Sequence, residues 1–335
     1  MNRFFYIFFG VFLMHSTLHS KENPIVCKEF VMKNPSTPFC HASTLCENRK
    51  GEILCSWYEG SDEGASDVTI ALASRDKHRW SQPKTVARGT SACWNPVLYQ
   101  DPAGTIFLFY KVGPNPQRWS GSYKCSYDEG EEWGEEQKLP AGVFGPVKNR
   151  PILLEDGALL CGSSTESWKR WGCWIDCTRD QGKTWEKYGP INVPEHLYGT
   201  IQPALVKLEN RVVRMFTRSL VLKKVCVATS YDGGVHWTSL APTSLPNPNS
   251  AVDAILLADG RMLIVYNHSE TKRSPLNLAL SSDGGKTWCI CLTLENEPGS
   301  FSYPSVIQSK NGHLHISYTW NRENIKYVEI DPKFL

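Results

Sequence analysis

The chain has almost no excess of charge: 36 Lys and Arg stand against 34 Asp and Glu, a net of +2 over 335 residues. That balance gives no global basis for nucleic-acid binding. It lacks a long apolar run as well, because the stretch from Phe4 to Met14 is too short to span a bilayer comfortably. His-Glu-x-x-His, phosphate-binding glycine-loop and EF-hand patterns are all missing, and Cys173 to Cys177, "CWIDC", lacks the paired spacing of a zinc site. No metal or cofactor is expected.

The first residues, "MNRFFYIFFGVFLMHSTLHS", place a basic residue, an apolar run and small polar residues in the order of a secretory signal. Residues 1–20 are therefore expected to direct export, with an uncleaved anchor as the alternative, and the mature chain is expected to be secreted or periplasmic. Export permits disulfides, yet Cys55 and Cys161 lie inside apolar strand-like runs. Most of the twelve cysteines read as buried free thiols.

A short polar turn recurs: "SYDEGEEW" from Ser126, "TRDQGKTW" from Thr178, "SYDGGVHW" from Ser230, "SSDGGKTW" from Ser281, and a shortened "SRDKHRW" from Ser74. Its aspartates, Asp76, Asp128, Asp180, Asp232 and Asp283, are spaced 52, 52, 52 and 51 residues apart, the period of a repeat architecture. A second series of turns at Gly51, Gly104, Gly157, Asn210, Gly260 and Gly312 keeps the same beat and carries hairpin chemistry. Six units of four short strands predict an all-β, six-bladed β-propeller over residues 21–335. The last unit stops too early for a fourth strand, so "IVCKEFVM" near the N-terminus is expected to close the ring. The aspartate boxes read as turn fasteners.

Both turn series lie on one face, which leaves the opposite face for function. There the first-strand entrances present His41, Asn95, Arg150, Gln202, Asp253 and Tyr303. Connections after the second strands add Glu59, Asp62, Asp67, Lys111, Glu166, Arg218, Arg273 and Arg322. Clustered guanidinium groups suit a carboxylate, which their planar donors grip in pairs.

With these residues the chain resembles a sialidase-fold protein over nearly all of its mature length. The resemblance implies that Arg218 in "FTRS" and Arg273 in "KRSPLNLALSSDGG" hold a substrate carboxylate. It makes Tyr303 in "FSYPSV" the nucleophile and Asp67, or else Asp62, the acid/base. Two positions depart from that pattern. His41 in "CHAS" stands where such proteins have a first arginine, and Gln202 in "TIQPAL" stands where they have the glutamate that assists the tyrosine. Asp253 is then a candidate for the missing carboxylate, with Arg150, Asn95, Lys111 and Glu59 completing the substrate site.

The leading expectation is an exported monomeric glycosidase of exo-α-sialidase type acting on an acidic glycan or glycoconjugate. A uronate lyase or rhamnosidase-type enzyme using His41 is the alternative. A non-catalytic glycan-binding propeller is the third reading, drawn from Trp94, Trp119, Trp168 and Trp320 as stacking surfaces.

Overall fold

In a computed structural model, which describes residues 23–335, the chain forms six four-stranded antiparallel sheets. Blade one runs through strands Phe39–Glu47, Ile53–Gly60, Thr69–Arg75 and Lys84–Ala87. The inner strands of blades two to six are Cys93–Gln100, Ile152–Leu153, Thr200–Lys207, Asp253–Leu256 and Phe301–Gln308. Each sheet is sequential, from inner to outer strand, except the last. There Ile25–Phe30 pairs with Asn324–Ile330, Lys28 facing Val328, so the N-terminal strand is the outer edge of blade six. The ring closes as the sequence predicts. The expected signal segment, residues 1–20, lies outside the described residues.

Closure is fastened on both sides. Glu295, in the outer strand of blade five, takes Lys326 at 2.6 Å, the Tyr318 hydroxyl at 2.6 Å and Lys28 at 3.2 Å. Arg75 of blade one pairs with Glu29 at 2.8 Å. The closing strands are thereby tied to both neighbouring blades by charge-assisted bonds.

Apolar side chains collect in the seams between blades, because alternation along each strand sends them to the two faces of its sheet. Leu54, Ile70 and Leu72 of blade one meet Leu98, Ile106 and Leu108 of blade two, while Ile175 and Cys177 meet Met215 and Ala228 across the next-but-one seam. The twelve cysteines are free and most are buried in these seams.

The aspartate boxes close hairpins on the face away from the inner-strand entrances. In the last of them Ser281 Oγ donates to Asp283 at 2.7 Å and accepts from the Gly285 amide, while the Thr287 amide and hydroxyl both donate to Asp283. Those donors hold the box carboxylates below their ordinary pKa, Asp180 at about 2 through Thr184 and Thr178. Gly285 takes φ 86°, which glycine adopts without strain.

Candidate active site

At the opposite face four inner strands bulge at the same rung. Register jumps between His41 and Thr44, Trp94 and Val97, Ile201 and Ala204, and Ser302 and Ser305. Inside each jump one residue has a left-handed backbone: Ala42 (φ 55°), Asn95 (41°), Gln202 (57°) and Tyr303 (55°). Such a backbone is rare for a residue as bulky as tyrosine. Repeated at four equivalent places, it is a built feature that re-aims side chains at the mouth. Ala42, not His41, shares the backbone position of Tyr303, and His41 precedes it by one residue.

Across from this rung, the second strands supply His41↔Tyr58, Trp94↔Lys111, Ile201↔Arg218 and Ser302↔Thr319. Several of these residues fasten a blade to the next one. Thr319 Oγ1 accepts the Ala42 amide at 3.0 Å, and Lys111 Nζ donates to the Pro146 carbonyl at 2.8 Å. Ser164 and Asn267, near the matching ends of their strands, bond Gln202 N and Phe301 O. Arg218 departs from the pattern. One of its terminal nitrogens donates to the Tyr303 hydroxyl at 2.8 Å and to Gln202 Oε1 at 3.1 Å, while its Nε donates to Asn249 at 2.8 Å.

Tyr303 is the centre of the cluster. Its oxygen also accepts from Gln202 Nε2 at 3.3 Å, so two donors converge on it. The Arg218 and Arg273 guanidinium carbons stand 5.8 and 5.7 Å from its ring centroid, and the His41 ring lies at 4.1 Å. Burial, together with Arg218 and Arg322, holds the Arg273 guanidinium below its ordinary pKa. His41 is 1% exposed. Its burial, followed by the charges of Arg322, Arg273, Lys148 and Arg218, pushes its pKa well below the usual histidine value. The imidazole is therefore neutral at physiological pH. Its Nδ1 meets Thr319 Oγ1 at 2.8 Å, and its Nε2 is buried without a partner.

A third arginine reaches this cluster from blade six. Arg322 lies in the turn between Leu314–Trp320 and Asn324–Ile330, where Asn321 and Arg322 have φ of 52° and 64°. Its guanidinium bonds Glu63 at 2.5 Å and stands 5.8 Å over the Phe39 ring. The other oxygen of Glu63 accepts the Tyr58 hydroxyl at 2.8 Å. From sequence Arg322 is only a residue of the working face and Glu63 does not stand out, because "SDEGASD" holds three carboxylates and no local pattern points to Glu63. Glu166, at the end of the second strand of blade three, faces Arg218 and Glu63, and burial raises its carboxyl pKa despite the Arg218 charge.

Several expected site residues have other work. Asp253 pairs with Val265, five residues past Gly260, the same step at which Thr44 and Ser305 pair five past Gly51 and Gly312. It therefore lies two residues deeper than Tyr303. Its carboxylate accepts the Val306 amide at 2.9 Å, just as Thr44 accepts Leu98 N and Ser305 accepts Leu45 N. This corrects the expectation that Asp253 assists Tyr303: it bridges blades five and six, with burial raising its pKa against the pull of Lys148 and Arg150. Arg150 stands near Asp253 and Cys46, where its charge acts to lower the pKa of each. Lys111, its pKa lowered to about 7 by burial, is a seam fastener and not a substrate ligand. Strand alternation turns Glu59 away from Tyr58, and its carboxylate takes the Trp57 indole N–H at 2.6 Å. Asn95 keeps its place on the mouth rung. Asp67 lies exposed in the loop after Gly60, with both oxygens held by the Ser61 amide and hydroxyl at 3.0 and 2.8 Å. Asn267, in the sequon "NHS", is buried with its amide nitrogen bonded to two carbonyls, which leaves no room for a glycan.

Six blades, five of them closed by an aspartate box, and a tyrosine flanked by arginines at the axial mouth define a sialidase-like propeller. The chain belongs to the family of BNR repeat-like domains, whose model matches residues 51–316. No curated protein matches it in sequence. Among solved structures it is similar to a protein of unknown function from Dyadobacter fermentans, at 16% identity and a TM-score of 0.77 over 92% of this chain and 98% of that one. It is similar also to the NanB sialidase of Streptococcus pneumoniae, at 14% identity and a TM-score of 0.76 over 93% and 71%. The intramolecular trans-sialidase of Ruminococcus gnavus follows the same fold, at 13% identity and a TM-score of 0.71 over 89% and 95%. At these identities the likeness is one of fold.

Proposed function

We propose that the chain is an exported glycosidase of sialidase type that releases a terminal carboxylate-bearing sugar from an acidic glycan. The observation that carries this reading is Arg218, which leaves the seam-fastening role of its counterparts to donate to the Tyr303 hydroxyl at 2.8 Å. Arg218, which is buried, and Arg273 and Arg322, which are partly exposed, together form a cationic wall suited to a carboxylate. The Tyr303 hydroxyl turns its oxygen toward the positive charge that develops at the anomeric carbon, and water then adds to that carbon, its proton passing to the carboxylate that protonated the leaving oxygen. The leaving oxygen takes its proton from a carboxyl. Asp67 and Glu166 are the two candidates, and partial burial, which raises the Glu166 carboxyl pKa, favours Glu166.

One observation supports a second reading. The buried, neutral, unpartnered Nε2 of His41 beside Tyr303 suits proton abstraction next to a uronate carboxylate.

An aryl α-sialoside and a polyuronate, offered in parallel, separate the two. Release of the aryl alcohol, abolished in Tyr303→Phe and weakened about a hundredfold in Arg218→Lys, is the expected result. Ultraviolet absorbance of an unsaturated uronate product would establish the lyase instead. Binding of either glycan without turnover at any pH would leave a glycan-binding propeller.

A further inference from the structure

The two hairpins that leave the site carry its most exposed apolar residues. Glu166 is followed by Ser167 and Trp168, and Arg218 by Ser219, Leu220 and Val221. Between these hairpins runs the link from the outer strand of blade three to the inner strand of blade four, which carries Leu197 and Tyr198. Trp168 is 67% exposed, Leu197 61%, Val221 44%, Leu220 40% and Tyr198 36%. All five lie on one rim of the face that holds Tyr303, since connections after second strands and into inner strands share that face. The rim is also ordered: the Tyr198 hydroxyl donates to the Trp168 carbonyl at 2.6 Å and the Trp171 amide to Leu197 O at 2.9 Å.

An exposed cluster of this kind marks an interaction surface. Its flanks are basic. Lys169, Arg170 and Lys223 are exposed in the same loops, against Glu195 alone, whereas Lys224 is neutralised by Glu270 at 2.9 Å. Aliphatic side chains, an indole and a phenol beside lysine and arginine are the composition of an interfacial membrane contact: the apolar groups enter the acyl boundary and the cations meet anionic headgroups. Sugars stack on aromatic faces and gain little from Leu197, Leu220 and Val221, so the aliphatic majority favours a bilayer over a second glycan.

We infer that the rim formed by Trp168, Leu197, Tyr198, Leu220 and Val221 docks the working face on an anionic lipid surface. The site would then open toward headgroup-level glycans. The inference does not depend on which reaction the site performs.

Co-sedimentation with vesicles tests it, using phosphatidylcholine alone and phosphatidylcholine mixed with phosphatidylglycerol. The protein pellets with the anionic vesicles, less so as salt rises, and the variant Trp168→Ser, Leu220→Ser, Val221→Ser binds at least about tenfold more weakly. Leu256→Ser, an exposed apolar residue away from this rim, retains binding, and matched melting curves show that each variant is folded. Equal sedimentation of the triple variant, or no sedimentation of the wild type with either vesicle, would overturn the inference. So would a wild-type dimer in gel filtration that the triple variant turns into a monomer.

Discussion

The His41 imidazole lies 4.1 Å from the Tyr303 ring, centroid to centroid, in a pocket where four cations act on it. A histidine there cannot hold a proton without adding to that charge, so folding requires the neutral form. The unfolded chain accepts the proton as pH falls through the ordinary histidine range near 6.5, and the folded chain does not. Stability from this source is complete above that range and declines below it. Melting temperature should therefore drop between pH 7 and pH 5, and drop less in His41→Gln. His315, whose pKa burial lowers to about 4, contributes the same sign and remains in the variant. An unchanged slope in His41→Gln would show that His41 is protonated in the fold.

Gln202 holds the position from which a carboxylate would reach both Arg218 and Tyr303, at 3.1 and 3.3 Å. As an amide it accepts from the first and donates to the second, and it cannot take the tyrosine proton. Under the glycosidase reading, Gln202→Glu supplies a base at the oxygen it already touches, so turnover of an aryl sialoside rises by roughly a factor of ten or more. Equal or lower kcat with an unchanged melting curve would mean that Tyr303 does not need a base.

Ring closure concentrates on Glu295. Its carboxylate is 9% exposed and takes Lys28, Lys326 and the Tyr318 hydroxyl. Burial opposes its ionisation, but these partners prevail and hold its pKa below the ordinary glutamate value of 4.5. Its contribution is thus present above that value and is lost as pH falls through the lowered one. Glu295→Gln should cost about 2 kcal/mol in urea unfolding at neutral pH. The difference from wild type should shrink in acid. A Lys28→Met variant with a similar loss would tie that cost to the closing strand.

The fold was legible because it is periodic: five box aspartates and six hairpin turns gave blade number, register and the face free for function. Tyr303, Arg218 and Arg273 could be found from local motifs. Depth could not. One bulge shifts the inner strand by a residue, so counting from motif to motif put His41 on the Tyr303 rung, where Ala42 sits, and left Asp253 two residues too high. Lys111 looked like a site cation because sequence does not show that its ammonium ends on the Pro146 carbonyl. Arg322 and Glu63 meet across the closure of blades six and one, 259 positions apart, a distance at which no local pattern speaks.

Which carboxyl protonates the leaving group is decided by comparing Asp67 with Glu166. Asp67 is solvent-exposed and its oxygens are occupied by Ser61, whereas Glu166 is partly buried near Arg218 and Glu63, its pKa raised by that burial. A general acid must hold its proton at the working pH, and the carboxyl with the raised pKa does so over the wider range. The basic limb of kcat/KM for a sialoside with a poor leaving group should therefore vanish in Glu166→Gln, with turnover reduced about a hundredfold or more. An activated aryl sialoside, whose leaving group needs no proton, should lose far less. Asp67→Asn should keep the limb and most of the activity. If instead Asp67→Asn removes the limb and Glu166→Gln only raises KM, then the exposed loop closes over bound substrate and Glu166 serves to orient the sugar.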